Sequence, residues 1–149
     1  MKKLFNSNTV LSLVFTAIFL AFSSFGFAQE NLTKPSKSQK AKVMQQIGLT
    51  HMKVIYHSPL TKGRTVWGDL VPYNEVWRCG ANENTVFYTS TDVTVEGKTL
   101  PAGAYGMHMI PTENDWTVIF SKESKSWGSY VYDETEDALR VTVKPSTKP

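Results

Sequence analysis

From Thr50 onward apolar residues recur at every second position, and turn-forming residues break the alternation every several positions. That spacing predicts short, half-buried β-strands. Met52, Val54 and Tyr56 share one face of a first strand, which His57-Ser58-Pro59 ends because proline has no N–H to give to a ladder. Gly63 turns the chain into a second strand, Arg64 to Leu70, followed by a short third at Val76 to Cys79 and a fourth at Thr85 to Thr89, rich in β-branched and aromatic residues. Val93 to Val95 and Lys98 to Leu100 flank Glu96-Gly97 as a hairpin, and Pro101-Ala102-Gly103 leads into Ala104 to Ile110. Asn114-Asp115 reverses the chain into Trp116 to Ser121, apolar on one face and mixed on the other. Ser129 to Tyr132 and Leu139 to Val143 complete about eight strands. Upstream, Ala41 to Ile47 fits either a short helix or an edge strand.

Eight short strands without helical periods between them predict an all-β protein, a small β-sandwich or a partly open barrel. A signal-peptide helix is expected to precede it. Lys2 and Lys3 form a charged start, Val10 to Phe22 is nearly all apolar, and Gly26-Phe27-Ala28 supplies a small-x-small cleavage pattern. The apolar run is shorter than the roughly 20 residues a bilayer requires. The expected organisation is therefore a signal peptide over 1–28, a polar leader over 29–42, one all-β domain over 43–145 and a tail over 146–149. An exported protein, periplasmic or extracellular, follows, with no transmembrane span once the signal is removed.

The formal net charge of +3 falls by two when the signal leaves. Lys34, Lys37, Lys40, Lys42, Lys144 and Lys148 lie near the mature ends, and residues 43 to 143 carry more acidic than basic side chains. A nucleic-acid partner is not expected from such a balance. Cys79 is the only cysteine, so the fold holds without an intramolecular disulfide.

The densest chemistry lies between Val71 and Thr85. Trp77 and Arg78 are neighbours on a strand and so face opposite ways. With Trp77 inside, the Arg78 guanidinium projects toward the following loop and could hold a carboxylate, a phosphate or a sugar hydroxyl. The plainer alternative is an ion pair with Glu75, Glu83 or Asp69. Gly80-Ala81-Asn82 lets a ligand approach the main chain, with Asn82, Glu83 and Asn84 offering donors and acceptors, and Glu83 the candidate base. His108 shares its strand face with Ala104 and Gly106 and lines a shallow surface or serves as a bonded imidazole. His51, His57 and His108 have no metal-ligand spacing, so no metal site or cofactor is expected. No serine sits in a Gly-x-Ser-x-Gly turn.

Lys62-Gly63-Arg64, Trp67-Gly68, Leu70-Val71-Pro72-Tyr73, Val76-Trp77-Arg78, Gly80-Ala81-Asn82 and Thr85 resemble the signature of exported bacterial proteins grouped as domain of unknown function 2911. Leu100-Pro101-Ala102-Gly103, Tyr105-Gly106, Ile110-Pro111, Trp127-Gly128 and Asp137-Ala138-Leu139-Arg140-Val141 continue the resemblance, which covers roughly Gly48 to Val143. It implies a signal peptide and an all-β domain, and no reaction. Cys79 stands where such proteins carry a small residue, which argues against an obligatory thiol. Such proteins also continue past the segment matching Val141 to Pro145, so a sheet edge left open is expected here.

Three readings follow. The first is a module that binds a small molecule, glycan or protein through Arg78 to Thr85. The second is a hydrolase or lyase on glycan or cell-envelope material, with Glu83 as base, Arg78 as clamp and His108 nearby. The third is a purely architectural Arg78. No catalytic residue is assigned.

Overall fold

The computed structural model describes residues 34–146 and, before them, Asn8, Leu11, Ser12 and Thr16. The chain divides into two compact units, Met1–Lys34 and Pro35–Pro149. In the first, those four residues are helical, and Thr16 Oγ1 donates to the Ser12 carbonyl at 2.9 Å. The rest of the expected signal peptide, and residues 29–33 of the leader, lie outside the described residues. Among the described residues no helix is long and apolar enough to cross a membrane.

Among its described residues the second unit is all-β, with two sheets and no closed barrel. Its nine strands are β1 (Gln39–Ile47), β2 (Thr50–Ser58), β3 (Trp77–Arg78), β4 (Thr85–Thr89), β5 (Val93–Val95), β6 (Lys98–Leu100), β7 (Gly103–Pro111), β8 (Trp116–Ser121) and β9 (Asp137–Val143). The larger sheet runs β1-β2-β4-β7-β8-β9, with β3 also on β7, and β5-β6 forms the smaller one. Every pair is antiparallel.

The hairpin expected at Glu96-Gly97 forms because both residues take positive φ, 47° and 77°, the geometry that matches strand twist. Its Leu100 is fully buried against Tyr105, Phe120 and Val141 of the larger sheet, with Phe87, Val93 and Val95 packed around them. Phe120 meets Phe87 and Tyr105 edge-on, at centroid distances of 5.6 and 6.4 Å. One face of the large sheet is thus closed by the small one. On the other face Ile119, His108 and Ser121 are buried, and the segment after β8 folds over them.

Ala41 to Ile47 takes the edge-strand alternative, and its strand β1 begins at Gln39, inside the segment read as leader. Two further elements differ from the pattern-based expectation. Arg64 to Leu70 is a series of turns whose one ladder contact is a bridge from Trp67 to Val71. Its alternation is interrupted by left-handed Gly68 and flanked by left-handed Lys62, Gly63 and Asn74, a conformation a strand does not tolerate. Ser129 to Tyr132 is also a turn, closed by the Tyr132 N–H on the Ser129 carbonyl. Its β-forming side chains Tyr130 and Val131 are left exposed.

One strand organises the functional end. Thr85 pairs with Met107 and Arg78 with His108, so β4 and β3 lie in tandem along the same edge of β7. Residues 79–84 are therefore inserted between two adjacent register positions and must leave the sheet as a loop.

That loop returns through Asn84, which is 4% exposed and donates from Nδ2 to Ser126 Oγ at 2.6 Å and to the Glu123 carbonyl at 3.3 Å. Asn84 fits because residue 106 has no side chain: a Cβ there would overlap the Glu123 carbonyl and stand 2.7 Å from Asn84 Nδ2. Gly106→Ala is expected to lower stability by about 3 kcal/mol through this overpacking. Urea unfolding checks it, with a lower midpoint and unchanged slope.

Candidate functional site

Arg78 leaves β3 on the face it shares with His108 and is half-buried. Among the described residues its guanidinium makes no hydrogen bond or ion pair. It lies instead over the Trp127 ring, 5.7 Å from the centroid, a cation–π arrangement that leaves the in-plane N–H groups available. Trp127 in turn stacks on Tyr130 at 5.6 Å and 12°. The aromatic support is exposed, at 54% for Trp127 and 77% for Tyr130.

Arg78 borders a cleft of about 760 Å³, roughly the size of sites that take small molecules. Trp67, Leu70, Trp77 and Met109 give it an apolar wall, and Gly80, Ala81 and Asn82 contribute main chain and one carboxamide. Trp67 is held at its post by an edge contact with Trp116, centroids 4.3 Å apart. Lys37, Lys62, Arg64 and Arg78 line the cleft, and no carboxylate does. Arg64 is already occupied, with Nε on the Thr61 carbonyl at 2.9 Å and Nη2 on that of Leu60 at 2.7 Å. Of the two guanidinium groups at the cleft, Arg78 alone has its donors uncommitted among the described residues.

The other sequence candidates separate. Asn82 takes positive φ, 60°, and lines the cleft. Asn84 is an internal clamp, as described above. Glu83 is exposed and sits 3.4 Å from Nδ1 of His57, an ion-pair distance without hydrogen-bond alignment. His108 is buried and bonds through Nδ1 to Ser129 Oγ at 2.7 Å. Glu83 and His108 thus have different partners, and no hydrogen bond or ion pair joins them among the described residues.

The loop itself is tied at both ends. The Ala81 N–H donates to the His57 carbonyl at 3.0 Å, the Asn84 N–H to the Ser126 carbonyl at 3.1 Å, and Thr85 Oγ1 to the Cys79 carbonyl at 3.2 Å. Gly80 permits the first of these, since a Cβ there would stand 3.0 Å from the His57 carbonyl. No group of three or more metal-ligating side chains occurs among the described residues.

Arg78 and Asn82 were legible from residue type and position, and Trp67 and Trp127 as aromatics able either to form a platform for sugars or to fill the core. Leu60 and Leu70 were not singled out: they reach the cleft from the turns around Gly63 and Gly68 and, like both tryptophans, remain substantially exposed.

The architecture is that of a small antiparallel β protein carrying a cation-lined, aromatic-walled cleft. The chain belongs to the family described as a protein of unknown function (DUF2911), whose model matches residues 38–149. No curated protein and no solved structure matches it.

Cys79 also borders the cleft, half-buried, and burial pushes its thiol up to about 12 from 9.0. The thiolate is the reactive form. Alkylation by iodoacetamide at pH 8 is therefore expected to run about a thousandfold slower in native than in urea-unfolded protein. Equal rates would show the thiol to be free and reactive.

Proposed function

We propose that the protein binds an amphiphilic anion, seating its acidic group on Arg78 and its apolar body against Trp67, Leu70, Trp77 and Met109. The observation that carries this reading is the half-buried guanidinium without a protein partner among the described residues. Arginine presents five donors in a planar fork suited to carboxylate or phosphate. Leaving them unused beside an apolar wall has a cost that a ligand's anion removes.

The cleft supports the sign of the charge and the nature of the body. Cations line it without any carboxylate, which favours anions by attraction and disfavours cations by repulsion. The wall is largely hydrocarbon and indole, which favours an acyl or aromatic portion over a heavily hydroxylated one. The setting proposed for this binding is outside the cytoplasm, on the strength of the charged start, apolar run and small-x-small pattern of residues 1–28.

An architectural role for Arg78 makes the opposite prediction about stability, because removing a group that pins two segments unfolds them. Dodecanoate titrated calorimetrically into the wild-type protein is expected to bind, and Arg78→Leu to weaken that binding about 30- to 100-fold, the worth of a charge-assisted pair. The variant's melting temperature is expected to stay within a few degrees of wild type, and dodecyltrimethylammonium is expected not to bind. Equal affinity for the anion and the cation would remove the site, and a collapse in melting temperature would establish the architectural role.

A further inference from the structure

Beside the large cleft a smaller cavity of about 130 Å³ is lined by Val76, Trp77, Arg78, Ser129 and Tyr130. Ser129 is half-buried, and its Oγ is 2.7 Å from Nδ1 of His108, whose residue surface is only 2% exposed. Two side chains distant in sequence thus meet as a hydroxyl and an imidazole at the edge of a cavity. That pairing is the recurring arrangement of an activated nucleophile and its base.

The imidazole is in the right state for the task. Burial holds His108 below its ordinary value of 6.5, and the charge of Asp137 opposes this only in part. At neutral pH the ring is uncharged, and with the proton on Nε2 its Nδ1 accepts from a hydroxyl. The surrounding groups fix the ring in place. Tyr132 packs on it at 5.0 Å between centroids, and its hydroxyl donates to Asp137 while accepting from Arg140. Arg140 also binds Asp137 and Glu134.

Arg78 supplies the third part. It is the cross-strand partner of His108, so both side chains leave the sheet on one face. Its Nη1 lies 3.4 Å from where a Cβ on Gly128 would stand, next in sequence to Ser129. A guanidinium there can stabilise negative charge forming on an oxygen bonded to the carbon that Ser129 attacks.

We propose that Ser129 is a nucleophile activated by His108 and that the small cavity hydrolyses a carboxylic ester, with Arg78 receiving the oxyanion. In the first step Ser129 Oγ bonds to the acyl carbon and its proton passes to His108 Nδ1. The bond from that carbon to the alcohol oxygen breaks, and the departing alcohol takes the proton from His108. Water then gives a proton to His108 and its hydroxyl to the acyl carbon. Ser129 Oγ leaves, recovers that proton, and the acid is released. Ester and water become acid and alcohol with no further reagent. This activity goes beyond the binding reading, since it needs no amphiphile in the larger cleft.

The test is to treat the intact protein with an alkyl fluorophosphonate and locate the adduct by mass spectrometry. One adduct is expected, on Ser129, absent in Ser129→Ala. The labelling rate is expected to rise with pH through a midpoint below 6.5. Of the groups facing His108, the Tyr132 hydroxyl is held protonated at about 12, Asp137 stays bound to Arg140 and Tyr132, and Arg78 remains charged, so the imidazole sets that midpoint. His108→Gln is expected to slow labelling about a hundredfold. Should that variant fail to fold, Ser129→Cys serves instead: its thiol beside the imidazole is expected to be alkylated below pH 7 far faster than Cys79. p-Nitrophenyl acetate turnover is expected in wild type and not in Ser129→Ala. No adduct, an adduct shared equally with other serines, or a rate flat across pH would overturn the proposal.

Discussion

Everything at the functional end depends on one strand serving two partners along a single edge. β7 runs nine residues, and β4 occupies its edge from Gly103 to Met107 while β3 takes the next two positions, His108 and Met109. Six residues are inserted between two adjacent register positions and cannot join the ladder. They are expelled as the 79–84 loop, and the strand on its far side delivers Arg78 opposite His108. The placement of the guanidinium is thus a consequence of backbone pairing, not of side-chain attraction.

Such an excursion has to be anchored or it would fray. Asn84 supplies the anchor by reaching Ser126 and the Glu123 carbonyl, and Gly106 leaves the volume it needs. The same contacts draw the segment after β8 across the sheet, which carries Trp127, Ser129 and Tyr130 to Arg78. The main-chain bridge between Glu83 and Trp127 closes this side of the loop. A buried carboxamide therefore ties the cleft together in a chain whose lone cysteine allows no internal disulfide.

The β4 strand, the Glu96-Gly97 hairpin, β7, β8 and β9 were legible in the sequence because each is set by local alternation and by turn residues with one preferred geometry. The tandem seating of β3 and β4 was not, because it is a matter of non-local register, which alternation does not encode. Arg64 to Leu70 misled because side-chain alternation was read without the left-handed positions that interrupt it. Ser129 to Tyr132 misled because Tyr-Val-Tyr has strand propensity whatever its surroundings, and the turn after Gly128 overrides it. In the candidate region Arg78 and Asn82 could be found from residue type and position. The inward turn of Asn84, the His57 partner of Glu83 and the Ser129 partner of His108 depend on which loops cross the sheet, so no spacing announced them.

Binding at this site requires the Arg78 fork to be open to a ligand. The chain has three arginines, Arg64, Arg78 and Arg140, and their side-chain Nε–H resonances can be followed individually by NMR while dodecanoate is added. Arg64 is engaged with loop carbonyls and Arg140 with Asp137, so neither is expected to move, whereas the Arg78 resonance is expected to shift progressively and saturate. An Arg78 resonance that stays fixed while the protein takes up the acid, or one that moves no more than the other two, would contradict the claim.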